Sequence, residues 1–184
     1  MLVSHSKKFI FLKTIKTGGT SVEIFLEPFC RPPGSLVEHH GPAQVSEAGI
    51  VGARGPGATS QQWYNHMPAS RLRELLPPDV WAGYHKVSIV RNPFDRLVSF
   101  WWMQVQRTAP EAHQRAAADM AFARTQFSGW IARAPKLLSD RHVYCIEGRP
   151  VTDRMLRYER LNDELAQLCA DLNLDADIAS LGRY

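Results

Sequence analysis

Residues 13–21 read Lys13-Thr14-Ile15-Lys16-Thr17-Gly18-Gly19-Thr20-Ser21. They follow an apolar run, Phe9-Ile10-Phe11-Leu12, whose length suits a buried strand. They precede the run Val22-Glu23-Ile24-Phe25-Leu26, which continues as an amphipathic helix. A strand, a glycine turn and a helix in this order bring backbone N–H groups and the positive end of the helix to one place. Residues 13–21 therefore predict a phosphate-binding loop.

The position of the lysine separates this loop from the common nucleoside-triphosphate loop. In Gly-x-x-x-x-Gly-Lys-[Ser/Thr], the lysine follows the last glycine. Here Lys16 precedes Gly18 and Gly19. The sequence also offers no clear acidic strand for magnesium, so a kinase or NTPase of related fold is disfavoured. The loop is predicted to be a different anion cradle.

A second candidate phosphate site follows the apolar run Val87-Ser88-Ile89-Val90, and it reads Arg91-Asn92-Pro93-Phe94-Asp95-Arg96-Leu97-Val98-Ser99. Asn92 suits a helix N-cap, and Pro93 suits the first helical turn. Arg91 comes at the carboxyl end of a strand, where open α/β sheets bind ligands. Ser99 lies two helical turns after Asn92 and offers a hydroxyl. A guanidinium and a hydroxyl together suit a second phosphate group.

Both motifs resemble those of a known family. Lys16-Thr17-Gly18-Gly19-Thr20-Ser21 resembles the 5′-phosphosulfate loop of sulfotransferases that use 3′-phosphoadenosine 5′-phosphosulfate (PAPS). Residues 90–99 resemble the 3′-phosphate motif of the same enzymes. A third segment, residues 156–165, is similar to one in the branch that includes carbohydrate sulfotransferases and their bacterial relatives. The resemblance covers residues 8–174.

The resemblance implies a P-loop NTPase-like α/β fold, with three layers and a central, mainly parallel sheet flanked by helices. The length predicts one domain over residues 1–184. A long acceptor-side loop is expected at about 29–65, where glycine, proline, histidine and serine are frequent, and the C-terminus is short. Ile15 stands where the family often has proline. The chain stops where family members usually continue with a loop and a helix that cover the nucleotide. Either the chain is a shortened form, or the nucleotide lid is abbreviated or supplied by a partner subunit.

The activity that the resemblance implies is transfer of a sulfuryl group from PAPS to a hydroxyl, on a saccharide or a glycosylated metabolite. Adenosine 3′,5′-bisphosphate (PAP) is then the product, and no metal is expected because the leaving group is already good. The expected donor-binding residues are Lys16, Thr17, Gly18, Gly19, Thr20, Ser21, Arg91 and Ser99. Lys16 is also expected to stabilise the charge on the leaving phosphate. The alternative is a non-catalytic module that binds the nucleotide without a complete lid.

The acceptor hydroxyl needs a base to take its proton. The first candidate is His66, at the end of the long loop, because similar carbohydrate sulfotransferases carry a histidine base at a comparable place. His39 and His40, with Glu38 beside them, are rivals for the same role. Glu23 is a weaker candidate, since a glutamate near the positive end of a helix is commonly a structural charge.

The periodicity of apolar residues predicts the remaining elements. Strands are expected at residues 8–12, 86–90, 142–146 and 155–158. Helices are expected at residues 20–26, 68–76, 94–106, 112–134 and 163–172.

Bulk composition limits the location and the partners. The 184 residues include 22 Lys and Arg against 18 Asp and Glu, a net charge of +4 that agrees with an anionic ligand. The three cysteines form no C-x-x-C pair, so neither a disulfide framework nor a zinc site is indicated. The sequence shows no signal peptide, membrane-length apolar run or basic nucleic-acid arm. A cytoplasmic bacterial enzyme is expected, with homo-oligomerisation left open.

Overall fold

A computed structural model describes residues 1–37, 40–133 and 139–182. The chain divides into two compact units. The sheet unit contains Met1–Val90 and Asp140–Tyr184, and the helical unit contains Arg91–Ser139. The single domain expected over residues 1–184 stays a prediction.

The strands assigned within the described residues all belong to the sheet unit. They are β1 Leu2–Ser4, β2 Phe9–Leu12, β3 Gln44–Ser46, β4 Gly49–Val51, β5 His85–Val90, β6 Cys145–Ile146, β7 Arg149–Pro150 and β8 Arg154–Arg157. The main sheet has the order β3-β4-β1-β2-β5-β8, and β6 pairs with β7 separately. Strands β2, β5 and β8 are parallel, whereas β1, β4 and β3 extend the sheet in antiparallel pairings.

The α-helices of the described residues flank this sheet or form the helical unit. They are α1 Gly19–Leu26, α2 Ala69–Leu75, α3 Pro78–Gly83, α4 Pro93–Thr108, α5 Pro110–Ala118, α6 Met120–Arg133, α7 Arg141–Tyr144 and α8 Leu161–Asp171. Strand alternation explains the layers. Phe9 and Phe11 of β2 pack in a cluster with residues of α1 and α8. Ile10 and Leu12 point to the other face, in a cluster that includes residues of α2 and α3. The predicted three-layer α/β fold is confirmed.

Three expectations about individual elements are wrong. Residues 142–146 were expected to form a strand, but α7 occupies most of this range and only β6 is extended. Residues 112–134 were expected to form one helix, but α5 ends at Ala118 and α6 begins at Met120. The expected loop at about 29–65 contains β3 and β4, which extend the main sheet.

The helical unit packs α4, α5 and α6 around a small apolar cluster centred on Trp101, Ala116 and Ala123. Asn92 is the N-cap of α4 as predicted, because its side chain accepts a hydrogen bond of 2.9 Å from the N–H of Phe94. Within the described ranges, no helix is both long enough and apolar enough to cross a membrane.

Candidate active site

The predicted strand, loop and helix are present, since β2 leads into α1 through residues 13–18. Gly18 is the N-cap of α1 and has a left-handed backbone with φ of 78°. Lys16, one residue before Thr17, is also left-handed, with φ of 59°. No side chain caps the N-terminus of α1. The N–H groups of its first turn are therefore available to an anion.

Hydrogen bonds tie this loop to the rest of the sheet unit. The Thr14 hydroxyl donates to the carbonyl of Ile89 on β5 at 2.6 Å and lies 2.8 Å from the Thr17 hydroxyl. The N–H of Ile15 donates to Asp140 Oδ2 at 2.9 Å. The Thr17 side chain is buried inside the loop. Because its hydroxyl is buried, Thr17 is expected to contact a phosphate through its backbone N–H only.

His66 lies against the first residue of the loop. Its Nδ1 is 3.0 Å from the backbone carbonyl oxygen of Lys13. Because a carbonyl only accepts hydrogen bonds, Nδ1 carries the hydrogen and Nε2 carries the lone pair. Burial, followed by the charges of Lys13 and the Met1 ammonium, lowers the pKa of His66 to about 4. His66 is thus a neutral proton acceptor at pH 7.

Backbone hydrogen bonds within the segment predicted to be a loop, at about 29–65, hold the residue before His66 in place. The N–H of Asn65 donates to the carbonyl of Ala53 at 2.9 Å, and the N–H of Ala53 donates to the carbonyl of Trp63 at 3.0 Å. Of the rival bases, His40 is exposed. Glu38 and His39 lie outside the described residues.

Glu23 is wholly buried and belongs to an ion cluster that the sequence did not reveal. One carboxylate oxygen lies 2.8 Å from the Met1 ammonium, and the other lies 2.7 Å from the Lys13 ammonium. Arg54 extends the cluster from Glu23 to Glu27, which also pairs with Arg31. Burial alone would raise the pKa of Glu23, but the neighbouring positive charges outweigh it and lower the pKa to about 2.

The second predicted phosphate motif begins the helical unit. Arg91 directly follows β5, and Ser99 is half-buried on α4. Because β2 and β5 are parallel neighbours, the chain leaves both strands at the same edge of the sheet.

A comparison with protein-family models supplies the family. The model of the Sulfotransferase family matches residues 1–178. The chain belongs to the sulfotransferase family. A search of curated proteins and a search of solved structures each found no significant match. The resemblance given by the three sequence motifs is confirmed, and sulfuryl transfer is the class of activity.

The sulfotransferase has a cavity of about 530 Å³ beside the start of α1. Its lining residues are Gly18, Ser21, Tyr158, Glu159, Leu161, Asn162, Ile178, Ala179, Leu181 and Gly182. Of these, only Gly18 and Ser21 are expected from the sequence to belong to the site. Tyr158 and Asn162 belong to the third resembling segment, at residues 156–165, and that position was the available signal for them.

The Tyr158 ring occupies the space that a side chain at position 18 would need. A Cβ built on Gly18 would lie 2.7 Å from a ring carbon of Tyr158, which is closer than real Cβ contacts. Gly57 has a similar φ of 75°, but a Cβ there would meet nothing within 4 Å. Alanine would therefore cause similar backbone strain at both positions, but only at position 18 would it also meet the Tyr158 ring.

We expect Gly18→Ala to lower the affinity for PAP at least about tenfold, because the loop or the Tyr158 ring must move. Gly57→Ala should cost about 1 kcal/mol of stability through strain alone and leave the affinity unchanged. Isothermal titration calorimetry with PAP and thermal unfolding of both variants measure these effects. Equal affinities for PAP in the two variants would contradict a role for the cavity beside Gly18.

Proposed function

We propose that this sulfotransferase transfers the sulfuryl group of PAPS to a hydroxyl of a saccharide or a glycosylated metabolite. The observation that carries the proposal is the loop between β2 and α1. It places the left-handed Gly18 at a helix start that no side chain caps, directly after Lys16 and Thr17. Such a helix start suits the 5′-phosphate of the donor.

In this proposal, each group of the donor has its own set of residues. The backbone N–H groups of residues 17–20 hold the 5′-phosphate, with the Thr20 and Ser21 hydroxyls beside them. Arg91 and Ser99 hold the 3′-phosphate. The cavity next to Gly18 accommodates the nucleoside, where the Tyr158 ring offers an aromatic surface. This division matches the resemblance found for residues 16–21 and 90–99.

The proposed chemistry uses His66 and Lys16 in complementary roles. His66 Nε2 takes the proton of the acceptor hydroxyl while the new O–S bond forms, since Nδ1 is engaged with Lys13. The bond from sulfur to the 5′-phosphate oxygen breaks, and Lys16 stabilises the negative charge that develops on this oxygen. The positive charge of Lys16 thus stabilises the leaving group, and the neutral imidazole of His66 removes the proton of the nucleophile.

Titration calorimetry with PAP, with ATP and magnesium in parallel, tests the donor. We expect the wild type to bind PAP in preference to ATP. Arg91→Ala should weaken PAP binding by about 1.5–3 kcal/mol, or roughly 10–200-fold, because a charge-assisted contact is lost. Arg107→Ala is the matched control, since Arg107 is an exposed arginine on α4. A preference for ATP with magnesium would contradict the proposal.

Acceptor screening separates the enzyme from the alternative binding module. Transfer from labelled PAPS to any saccharide hydroxyl supports the enzyme, whereas tight PAP binding without transfer in a broad screen supports the module. A cytoplasmic location is part of the proposal. It agrees with Cys30, Cys145 and Cys169, which are all buried free thiols.

A further inference from the structure

Lys13 is the first residue of the predicted phosphate loop and contacts His66. It is the first residue after β2, and only 4% of it is exposed. Its backbone carbonyl accepts the hydrogen bond from His66 Nδ1 at 3.0 Å. Its ammonium lies 2.7 Å from Glu23 Oε2 on α1. One residue therefore contacts the candidate base through its backbone and the helix of the phosphate loop through its side chain.

The stem of the Lys13 side chain passes directly beneath Gly19. A Cβ built on Gly19 would lie 2.9 Å from Lys13 Cγ and 3.3 Å from the carbonyl oxygen of Thr14. The stem thus fills the space that a side chain at position 19 would need. Packing at Gly19 and the ion pair with Glu23 hold Lys13 in one conformation.

We propose that Lys13 is a positioning residue for His66 in the reaction proposed above. Its carbonyl fixes the ring as the Nδ1–H tautomer, and its ammonium, anchored by Glu23, adds to burial in disfavouring the charged ring. Nε2 then carries a free lone pair that can accept a proton from the acceptor hydroxyl. Lys13 lies outside residues 16–21, the stretch that resembles the family's phosphosulfate loop.

The charges around His66 agree with this role. Burial is the largest cause of its lowered pKa, and the Lys13 ammonium is the largest charge effect. The Met1 ammonium acts in the same direction, and the Glu23 carboxylate opposes both more weakly. Removal of Lys13 and Glu23 together should therefore raise the pKa of His66, and removal of Lys13 alone should raise it further.

Nitrogen-15 NMR of the histidine rings, titrated from pH 3.5 to 8, tests the inference directly. His66→Gln identifies the resonances of His66. We expect the wild-type ring to be the Nδ1–H tautomer with a pKa well below the usual range. Lys13→Met with Glu23→Gln should raise this pKa by about 0.5–1 unit, and Lys13→Met alone should raise it more. The double variant leaves no carboxylate at Glu23 without Lys13, but Glu23→Gln also removes a partner of the buried Met1 ammonium. Thermal unfolding therefore selects the variants that are folded for comparison.

The control is Glu27→Gln with Arg31→Met, which removes a buried ion pair from the same cluster without touching Lys13. It should leave the His66 resonances unchanged. An Nε2–H tautomer in the wild type, or an unchanged pKa in both folded Lys13 variants, would overturn the inference. The NMR result requires no activity, so it stands apart from the donor test. If the wild type fails to bind PAP, the proposed function fails even where the tautomer is as expected.

A kinetic readout separates positioning from a general structural role. The kcat of the double variant relative to wild type should fall about 1.5–3-fold more at pH 4.5 than at pH 7.5, because more of the variant's imidazole is charged at the lower pH. A purely structural defect would lower kcat by the same factor at both pH values, and that result would contradict the inference.

Discussion

Lys16→Met is expected to lower kcat for sulfuryl transfer by about 10²–10³-fold, the usual effect of removing one donor from the site where charge develops. Lys16 is half-buried in the phosphate loop, and its ammonium is the group proposed to stabilise the leaving phosphate oxygen. Methionine keeps the length and the apolar stem of lysine. The loss of kcat should therefore measure the contribution of the positive charge. Single-turnover rates with PAPS measure the effect on the chemical step.

Lys8→Met is a closely matched control for this variant. Lys8 has a left-handed backbone with φ of 53°, close to the 59° of Lys16, and it lies at the opposite end of β2. Lysine and methionine both carry a Cβ, so the two substitutions affect the backbone strain at these positions equally. We expect Lys8→Met to keep the wild-type rate within about twofold, since surface substitutions are usually close to neutral. Equal losses in the two variants would show that Lys16 has no role of its own in the reaction.

His66→Gln is expected to lower kcat by about 10²–10⁴-fold, the range that general base catalysis contributes. Glutamine retains a hydrogen-bond donor for the Lys13 carbonyl but has no nitrogen that accepts a proton at neutral pH. The affinity for PAP should stay within about threefold of the wild type, because His66 is not proposed to contact the donor phosphates.

The rival bases provide the controls for His66. His40→Gln and His39→Gln should each leave kcat within about twofold of the wild type. A large loss in either variant, together with an active His66→Gln, would transfer the role of base to that residue.

The pH dependence of the wild type gives an independent check on His66. The base must be neutral to accept a proton, so kcat/KM declines as the pH falls through the pKa of the free enzyme. Burial lowers this pKa to about 4. The activity should therefore stay constant down to about pH 5, whereas an ordinary histidine would already lose most of it at that pH. Circular dichroism at each pH excludes unfolding as the cause of any decline.

Local sequence was sufficient to predict strand β2, the glycine turn after it and helix α1. An apolar run of strand length, a glycine pair and a helical pattern occur within a short segment, and each is recognisable without distant partners. The same applies to the N-cap at Asn92, which accepts from an N–H two residues away. The elements that were wrong depend on less visible signals. Asp119 ends the predicted single helix because its side chain accepts from the N–H of Phe122 at 3.0 Å and so starts α6.

The strands β1, β3 and β4 were not predicted from the sequence, for a related reason. Each has three residues, too few for an alternating pattern to stand out from a loop. Their pairing is set by register with partners elsewhere in the chain, as when β4 lies against β1. A segment rich in glycine and proline was therefore interpreted as a loop, although it extends the sheet and fixes the position of His66.

The sequence by itself determined the strand, glycine turn and helix within residues 9–26 and the family to which the chain belongs, because these depend on contiguous residues. Only the tertiary structure decided which groups surround that turn. It brought His66 to Lys13 across 53 residues of chain and set the Tyr158 ring against Gly18. It also buried Glu23 among cations that come from separate segments. These contacts arise from packing between distant segments, and local periodicity carries no information about them.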